Sequence, residues 1–358
     1  MLIKLNVLGG AGTTLFADAR GGGYLQRDGV MLTRFHESCH LPSGPRFYLR
    51  DSRSGANWCV TDPAFVREVT FETGQVRYVH ERFGVEGTLR AYVNPLDGAV
   101  IHLLTLRNLS GAAREMEVCS YLEPALASRE DDAAHPAFQN LFIRTAKLNP
   151  NGVEAVRRSR GDEPERRLWH RLCADVPFQA FCVQTDRTSF LGRNRGVESP
   201  RELDLPMEAV AGDVGDVIEP CLSLRARFWL PNGAQARLAF VTALPNDNDT
   251  SEAFGDRYAQ PEAAARCYES ALTRGLVTAR YLSLSAEAQT LVWRLAGCVG
   301  YTGQPWQFRY ALDNALPLRG LWALGISGDY PILLVECHTE QELSLIHISE
   351  PTRLGMIS

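Results

Sequence analysis

The sequence predicts a mainly β fold, a large antiparallel sandwich followed by a short α-helical linker, and three features predict it. The first is period-two alternation between residues 66 and 123. Val69 and Phe71 face one way while Glu68, Thr70 and Glu72 face the other, and the pattern resumes with Val76, Tyr78 and His80. Further runs follow at 88–93, 100–106 and 115–122. Side chains alternate across a strand, so such runs are strands with one face buried. The second feature is the short punctuation between them: Gly84 and Gly87, Pro95 with Asp97-Gly98, then Asn108 to Gly111. Connections this short favour antiparallel pairing of neighbours, and a β-meander is expected. The third is a change of period at Asn246, after which apolar residues recur at helical spacing.

Composition narrows the function. With 358 residues, 45% of them hydrophobic, the chain can bury a sizeable core in one large or two smaller domains. A net charge of −5 gives no general attraction to nucleic acid or anionic lipid, so neither is an expected partner. Nine cysteines are an odd number and no two form a CxxC pair. They read as small buried hydrophobes in a reducing, cytoplasmic setting rather than a disulfide or zinc framework. No apolar run approaches the roughly 20 residues of a membrane span. The first 19 residues imitate a signal peptide only faintly, because Asn6, Gly9, Gly10 and Gly12 interrupt the apolar region and Asp18 sits beside any cleavage site. The sequons at Asn108 and Asn248 therefore carry no weight.

Residues 13–65 are rich in aromatics and turns, with two strands expected around the hairpin at 51–55. An exposed ring beside glycines can stack on the apolar face of a sugar. Tyr24, Phe35, Tyr48 and Trp58 equally suit a sandwich core, and the core reading is favoured for each. SREDDAAHPAFQNLF at 128–142 reads as a loop. There Asp131, Asp132 and His135 are either a metal or polyol cluster or, as favoured, a solvated loop held by its own turn hydrogen bonds. The arginines of 157–171 alternate with Asp162, Glu163 and Glu165, which suits a solvated hairpin end better than a phosphate patch. Strands resume at 180–183, 223–230 and 236–243, the last two flanking the tight-turn signal Pro231-Asn232-Gly233. Pro261 suits a first helical position with Glu262 in the first turn. Ala265, Tyr268, Ala271, Leu272 and Leu276 then form one stripe. Ser285 can cap a second helix carrying Ala288, Leu291, Val292, Leu295 and Val299 on another.

LWALGISGDYPILLV at 321–335 resembles a segment of the cyclic β-1,2-glucan synthases and related family 94 glycoside phosphorylases. GGGY at 21–24, LTRF at 32–35, FYLRDSRSG at 47–55, DAAHPAFQNLF at 132–142, TDRTSFLGRNR at 185–195 and the run 218–243 fall in the same order at similar spacing. This collinear series covers most of residues 13–337; Met1 to Gly12 departs from the family's more regular first strand. The resemblance implies a β-supersandwich of the galactose mutarotase-like kind at 1–245 and a helical linker at 246–320. The GISGD segment follows at 321–337. It also implies the first of two such sandwiches in the synthases. There a membrane glycosyltransferase region lies upstream, and a second sandwich and an (α/α)6 barrel with the phosphorylase-type site lie downstream. No segment here matches that barrel, so no catalytic residue is carried over. Phosphate would be a co-substrate only in the barrel, and no cofactor or metal is expected in this chain. LSLIHISEPTRLGMIS at 343–358 resembles translated sequencing-adapter read-through, so 338–358 are expected to be non-native.

Three functions compete. The first is a non-catalytic carbohydrate-binding or scaffold domain, whose partners would be a β-glucan oligosaccharide and the downstream sandwich and barrel of the same chain. Tyr24, Trp58 and His135 are its candidate sugar contacts. The second is an active phosphorylase, which needs a carboxylic acid to protonate the leaving oxygen and a cationic phosphate site. The third is a purely structural packing domain. The helices at 261–299 are expected to leave apolar surface exposed, because part of their partner would lie downstream.

Overall fold

The alternation becomes strand wherever one side chain in two can reach a core. In Val85–Val93, Val85, Leu89 and Ala91 are buried while Glu86, Thr88 and Arg90 are half-exposed. The computed structural model describes residues 3–301, except 39, 42, 162, 211 and 247, together with 315–328. The chain opens with β1 (Leu5–Gly10), β2 (Thr13–Asp18), β3 (Gly23–Arg27), β4 (Val30–Thr33), β5 (Arg46–Asp51) and β6 (Asn57–Cys59). Next come β7 (Val66–Phe71), β8 (Val76–Arg82), β9 (Val85–Val93), β10 (Val100–Asn108), β11 (Arg114–Tyr121) and β12 (Pro124–Ala127). Two short helices, α1 (Arg129–Ala134) and α2 (Pro136–Asn140), precede β13 (Ile143–Leu148), β14 (Gly152–Arg157), β15 (Arg166–Ala174) and β16 (Phe178–Asp186). After α3 (Arg187–Leu191) come β17 (Pro220–Leu230) and β18 (Gln235–Ala243), then α4 (Ser251–Arg257), α5 (Pro261–Tyr281) and α6 (Ala286–Gly300).

The strands form three antiparallel sheets. One runs β13-β14-β15-β18-β10-β9-β8-β7, a second β16-β17-β11-β5-β6, and a third β1-β2-β3-β4-β12. The main core joins all three, with Leu104 and Phe240 from the first, Leu49, Val118 and Phe228 from the second, and Leu15 and Leu25 from the third. The other face of β10 is also buried: Ile101 and Leu103 pack with Tyr92 and Trp169 against Phe254, Tyr258 and Ala264 of the helical region.

The expected meander holds for β7 to β10, which pair in sequence order. Its fifth run does not continue it. β11 crosses to the second sheet, between β17 and β5, and β17 and β18 likewise lie in different sheets despite the tight turn that joins them. Asn108 ties the two crossings together. Its side-chain amide donates to Leu230 O at 2.9 Å and Ala112 O at 2.8 Å, and its backbone bonds Ala234 and Gly233. A short connection can therefore change sheet when one buried side chain satisfies the backbone of both arches.

Residues 128–142 fold as α1 and α2 rather than the expected loop. Ser128 Oγ accepts from Asp131 N at 3.1 Å as an N-cap, and Pro136 opens α2, where a missing N–H is harmless. Pro261 opens α5, and Ser285 Oγ caps α6 through Ala288 N at 3.2 Å. The apolar surface expected to stay exposed on these helices is seen on α6, whose buried face is a different one. Leu291, Val292 and Val299 are exposed, whereas Gly297 and Cys298 are buried. Close backbone approach decides this, because a Cβ at Gly297 would lie 1.9 Å from Ile3 O. Leu276, Val277 and Leu282 on and after α5 are exposed as well.

The described residues 315–328 belong to a unit separate from the one that holds the sandwich and helices α4 to α6. Within it lie the 3-10 turns Leu318–Gly320 and Trp322–Leu324, the second at the start of the GISGD segment. Residues 329–337 of that segment and the tail 338–358 lie outside the described residues.

Candidate functional site

The three residues chosen from sequence do not come together, and two of them have no free ring face. Tyr24, on β3, is buried; its ring stacks on Phe16 at 4.1 Å and meets Phe35 at 4.3 Å. Trp58, on β6, is buried against the edge of Phe83, with the Arg82 guanidinium 5.9 Å from its ring. Both are core residues, so the stacking role foreseen for them is withdrawn. His135 is exposed at the junction of α1 and α2, where its backbone N–H donates to Asp131 O at 3.2 Å. The Asp131–Asp132–His135 cluster also divides: Asp131 serves the cap of α1, and Asp132 is buried in an ion pair. Among the described residues no group of three or more His, Cys, Asp or Glu could hold a metal ion.

The charged residues of the segments recognised in the sequence converge instead on two lattices. In the first, Arg34 donates to Asp132 Oδ1 at 2.7 Å and Asn140 Oδ1 at 2.9 Å. Arg34 also lies 3.9 Å from Glu123, which accepts from Tyr121 OH at 2.6 Å and Arg187 Nε at 3.0 Å. Arg187 then reaches Glu219 at 3.0 Å. Segments 32–35, 132–142, 185–195 and 218–243 thus meet in one chain of charges. In the second lattice Glu117, on β11, is the hub. It accepts from Arg225 Nε at 2.9 Å, Arg227 Nη2 at 3.0 Å, Arg50 Nη1 at 3.3 Å and Ser52 Oγ at 3.1 Å. Arg225 continues to Glu202 O and Leu205 O, each at 2.8 Å, and Arg50 Nε to Leu203 O at 2.9 Å. The turn Arg201–Asp204 is thereby fastened over the second sheet. No signal in the sequence links these partners, which lie up to 153 residues apart.

Glu202 stands out in this lattice. It is 2% exposed, and neither carboxylate oxygen has a hydrogen-bond partner among the described residues. Burial pushes its carboxyl up to about 7, against the lowering pull of Arg225. The folded state therefore holds a proton that the unfolded chain releases near 4.5. The resulting penalty is absent below that pH and grows until the pH passes 7. Glu202→Gln is expected to raise stability at pH 8 by up to about 3 kcal/mol and to change it little at pH 4.5. Urea midpoints at the two pH values test this, and a difference that does not vary with pH would contradict it. The neighbouring thiols are poor nucleophiles: burial pushes Cys182 up to about 12 and raises Cys119 and Cys221 further.

Two cavities reach solvent near these elements. One, of about 180 Å³, is lined by Arg20, His40, Arg46, Thr61, Asp62 and Glu198, so its charges of both signs face each other. The larger, of about 430 Å³, lies between the β1–β2 hairpin, the turn at 73–74 and helices α5 and α6. Trp293, Arg274, Gln289, Thr14, Thr73 and Thr278 line it. No helix among the described residues is long and apolar enough to cross a membrane.

The family model "Glycosyl hydrolase 94, supersandwich domain" matches residues 2–261. The cyclic beta-(1,2)-glucan synthase NdvB of Rhizobium meliloti (strain 1021) is 26% identical over 340 residues, which is 91% of this chain and 12% of that protein. The chain thus spans a small part of the length of this relative. Among solved structures, a bacterial glucoamylase complexed with acarbose aligns at a TM-score of 0.42 and 9% identity, over 84% of this chain and 42% of that one. A putative aldose 1-epimerase from Escherichia coli K12 aligns at a TM-score of 0.38 and 8% identity, over 68% of this chain and 100% of that one.

Proposed function

The chain belongs to the glycosyl hydrolase 94 supersandwich-domain family, and from that membership we propose that it is a non-catalytic glycan-binding and scaffold domain of an enzyme that synthesises or phosphorolyses β-1,2-glucan. One observation supports the non-catalytic part. The charged side chains of the segments that resemble the synthases pair with one another or with Glu117 and Glu123, which lie between those segments, and the innermost of these groups are buried: Glu117 and Arg225 are each 1% exposed. A carboxylate held by several guanidinium groups is a poor proton donor to a leaving oxygen, but it fixes the strands that carry it. In this reading catalysis, and phosphate as its co-substrate, belong to downstream regions of the parent enzyme. Those regions would also be the domain's packing partners. A cytoplasmic location fits the reduced, buried thiols of Cys119 and Cys221.

The test is calorimetric titration of the full chain with β-1,2-linked gluco-oligosaccharides, run beside an assay for phosphate-dependent release of glucose 1-phosphate. Binding without turnover is the expected result. Turnover would make the chain a phosphorylase in its own right, and a folded chain that neither binds nor reacts would leave it a packing domain.

A further inference from the structure

We infer that the 430 Å³ cleft between the β1–β2 hairpin and helices α5 and α6 is a saccharide-binding subsite, with Trp293 as its ring and Arg274 and Gln289 as its hydroxyl-binding groups. The inference rests on the glycan-binding reading above and supplies its location, since Tyr24 and Trp58 are covered.

The cleft is preformed. A Cβ at Gly275 would lie 2.5 Å from Thr73 O, one at Gly74 2.6 Å from Leu272 Cα, and one at Gly297 1.9 Å from Ile3 O. Backbone therefore meets backbone where α5 and α6 seat on the sandwich, which fixes the spacing of the elements that wall the cleft. Its volume falls within the roughly 300–1,000 Å³ typical of small-molecule sites.

The lining suits a neutral polyol. A pyranose presents an apolar face of C–H bonds and a rim of hydroxyls, so it calls for one aromatic plane and several groups that donate or accept in a plane. Trp293 is half-buried and anchored by Phe71, 5.6 Å away with the rings tilted by 36°. Arg274 is exposed and has no hydrogen-bond or ion-pair partner among the described residues. Its guanidinium supplies planar donors, the Gln289 amide, which donates one N–H to Leu284 O at 3.3 Å, keeps its other N–H and its carbonyl, and Thr14, Thr73 and Thr278 add hydroxyls. Among the described lining residues there is no Asp or Glu, unlike the smaller cavity, whose acids would repel an anion and whose charges already face each other. With only one cation in the lining, the cleft is poorly suited to a phosphate, which usually gathers more.

The experiment is titration of the full chain and three variants with a β-1,2-linked glucose pentasaccharide, and separately with inorganic phosphate. Trp293→Ala and Arg274→Ala should each weaken glycan binding about tenfold or more, while Trp293→Phe, which keeps a ring, stays within about threefold. Melting curves check folding. Arg274 is an exposed side chain, so its variant reads the site even if Trp293→Ala loosens α6. Binding unchanged in a folded Arg274→Ala and Trp293→Ala pair would overturn the cleft while leaving glycan binding by the domain intact. No glycan binding by the unmodified chain would overturn both. Phosphate saturation that Arg274→Ala abolishes, without glycan binding, would make this an anion site and overturn the saccharide assignment.

Discussion

Acidification from pH 7 to pH 5 is expected to destabilise this domain by several kcal/mol before most of its carboxylates titrate. His80, His102 and His170 are buried, and burial lowers their imidazoles to about 4, 3 and 3 from the ordinary 6.5. His170 is held between Ser120 Oγ at 2.9 Å and Thr242 Oγ1 at 2.8 Å. His102 lies 4.7 Å from the Phe47 ring, and its charge would also oppose one on His170. His80 sits against Gly87, where a Cβ would come within 2.0 Å of the imidazole, and neither ring nitrogen has a partner among the described residues. Below 6.5 the unfolded chain takes up protons that the folded chain refuses until about 4 or lower. The stability these residues provide is therefore complete above pH 6.5 and is lost as the pH falls. Three such groups give a slope of about 4 kcal/mol per pH unit, hence about 6 kcal/mol at pH 5, which rivals the whole stability of an ordinary domain. Glu202 acts in the opposite sense between pH 7 and 5 and offsets about a third of the slope, which leaves a net loss of about 3–4 kcal/mol. Urea midpoints between pH 7.5 and 5 measure the effect. His80→Leu loses no hydrogen bond to a described partner, so it should leave stability at pH 7.5 within about 1 kcal/mol and reduce the net slope by about half. A midpoint that stays level across this range would mean that the imidazoles reach water.

What the sequence revealed and what it hid follow from the range of the interactions involved. Alternation in β8 and β9 and the break at Gly84 depend on near neighbours, and so do the proline start of α5 and the serine cap of α6. All are visible in a short window. Which sheet a strand joins is different. β11 shows the same alternation in either sheet, and the crossing rests on Asn108 reaching Leu230, 122 residues away. Tyr24 and Trp58 look like platform residues because an aromatic beside glycines suits a sugar site as well as a core. Neighbours such as Phe16, Phe35 and Phe83 decide for the core. On α6 periodicity weighs hydrophobicity, whereas seating the helix needed the smallest residue, so Gly297 faces Ile3 and the leucine–valine stripe faces out. Trp293 drew no attention for the same reason. Its role requires Thr14 and Thr73, which only the fold brings near.

Replacing Glu117 with Gln should be among the most damaging conservative changes in the chain. Glu117 and Arg225 are each 1% exposed, and Arg50 and Arg227 converge on the same carboxylate. Arg227 can turn to Glu208, 2.6 Å away and exposed, and Arg50 keeps Leu203 O at 2.9 Å. Arg225 keeps only two backbone carbonyls, which leaves a buried guanidinium without a paired anion. Removing one partner of a buried pair typically costs about 3–5 kcal/mol, and that is the expected loss. Glu202 is the next carboxyl whose charge Arg225 feels. In the Glu117→Gln chain it becomes the remaining counter-ion within the fold, so its carboxyl should fall toward the ordinary range. The benefit of Glu202→Gln at pH 8 should then disappear or reverse. Adding Arg225→Met removes the stranded charge, and the double variant should recover half or more of the loss, because a buried pair can often be replaced by apolar groups at little net cost. Urea midpoints at pH 8 for the two single variants and the double variant close the cycle and isolate the coupling. A loss below about 1 kcal/mol for Glu117→Gln would mean that water reaches Arg225. The lattice would then be surface decoration, and its support for a scaffold role would go with it.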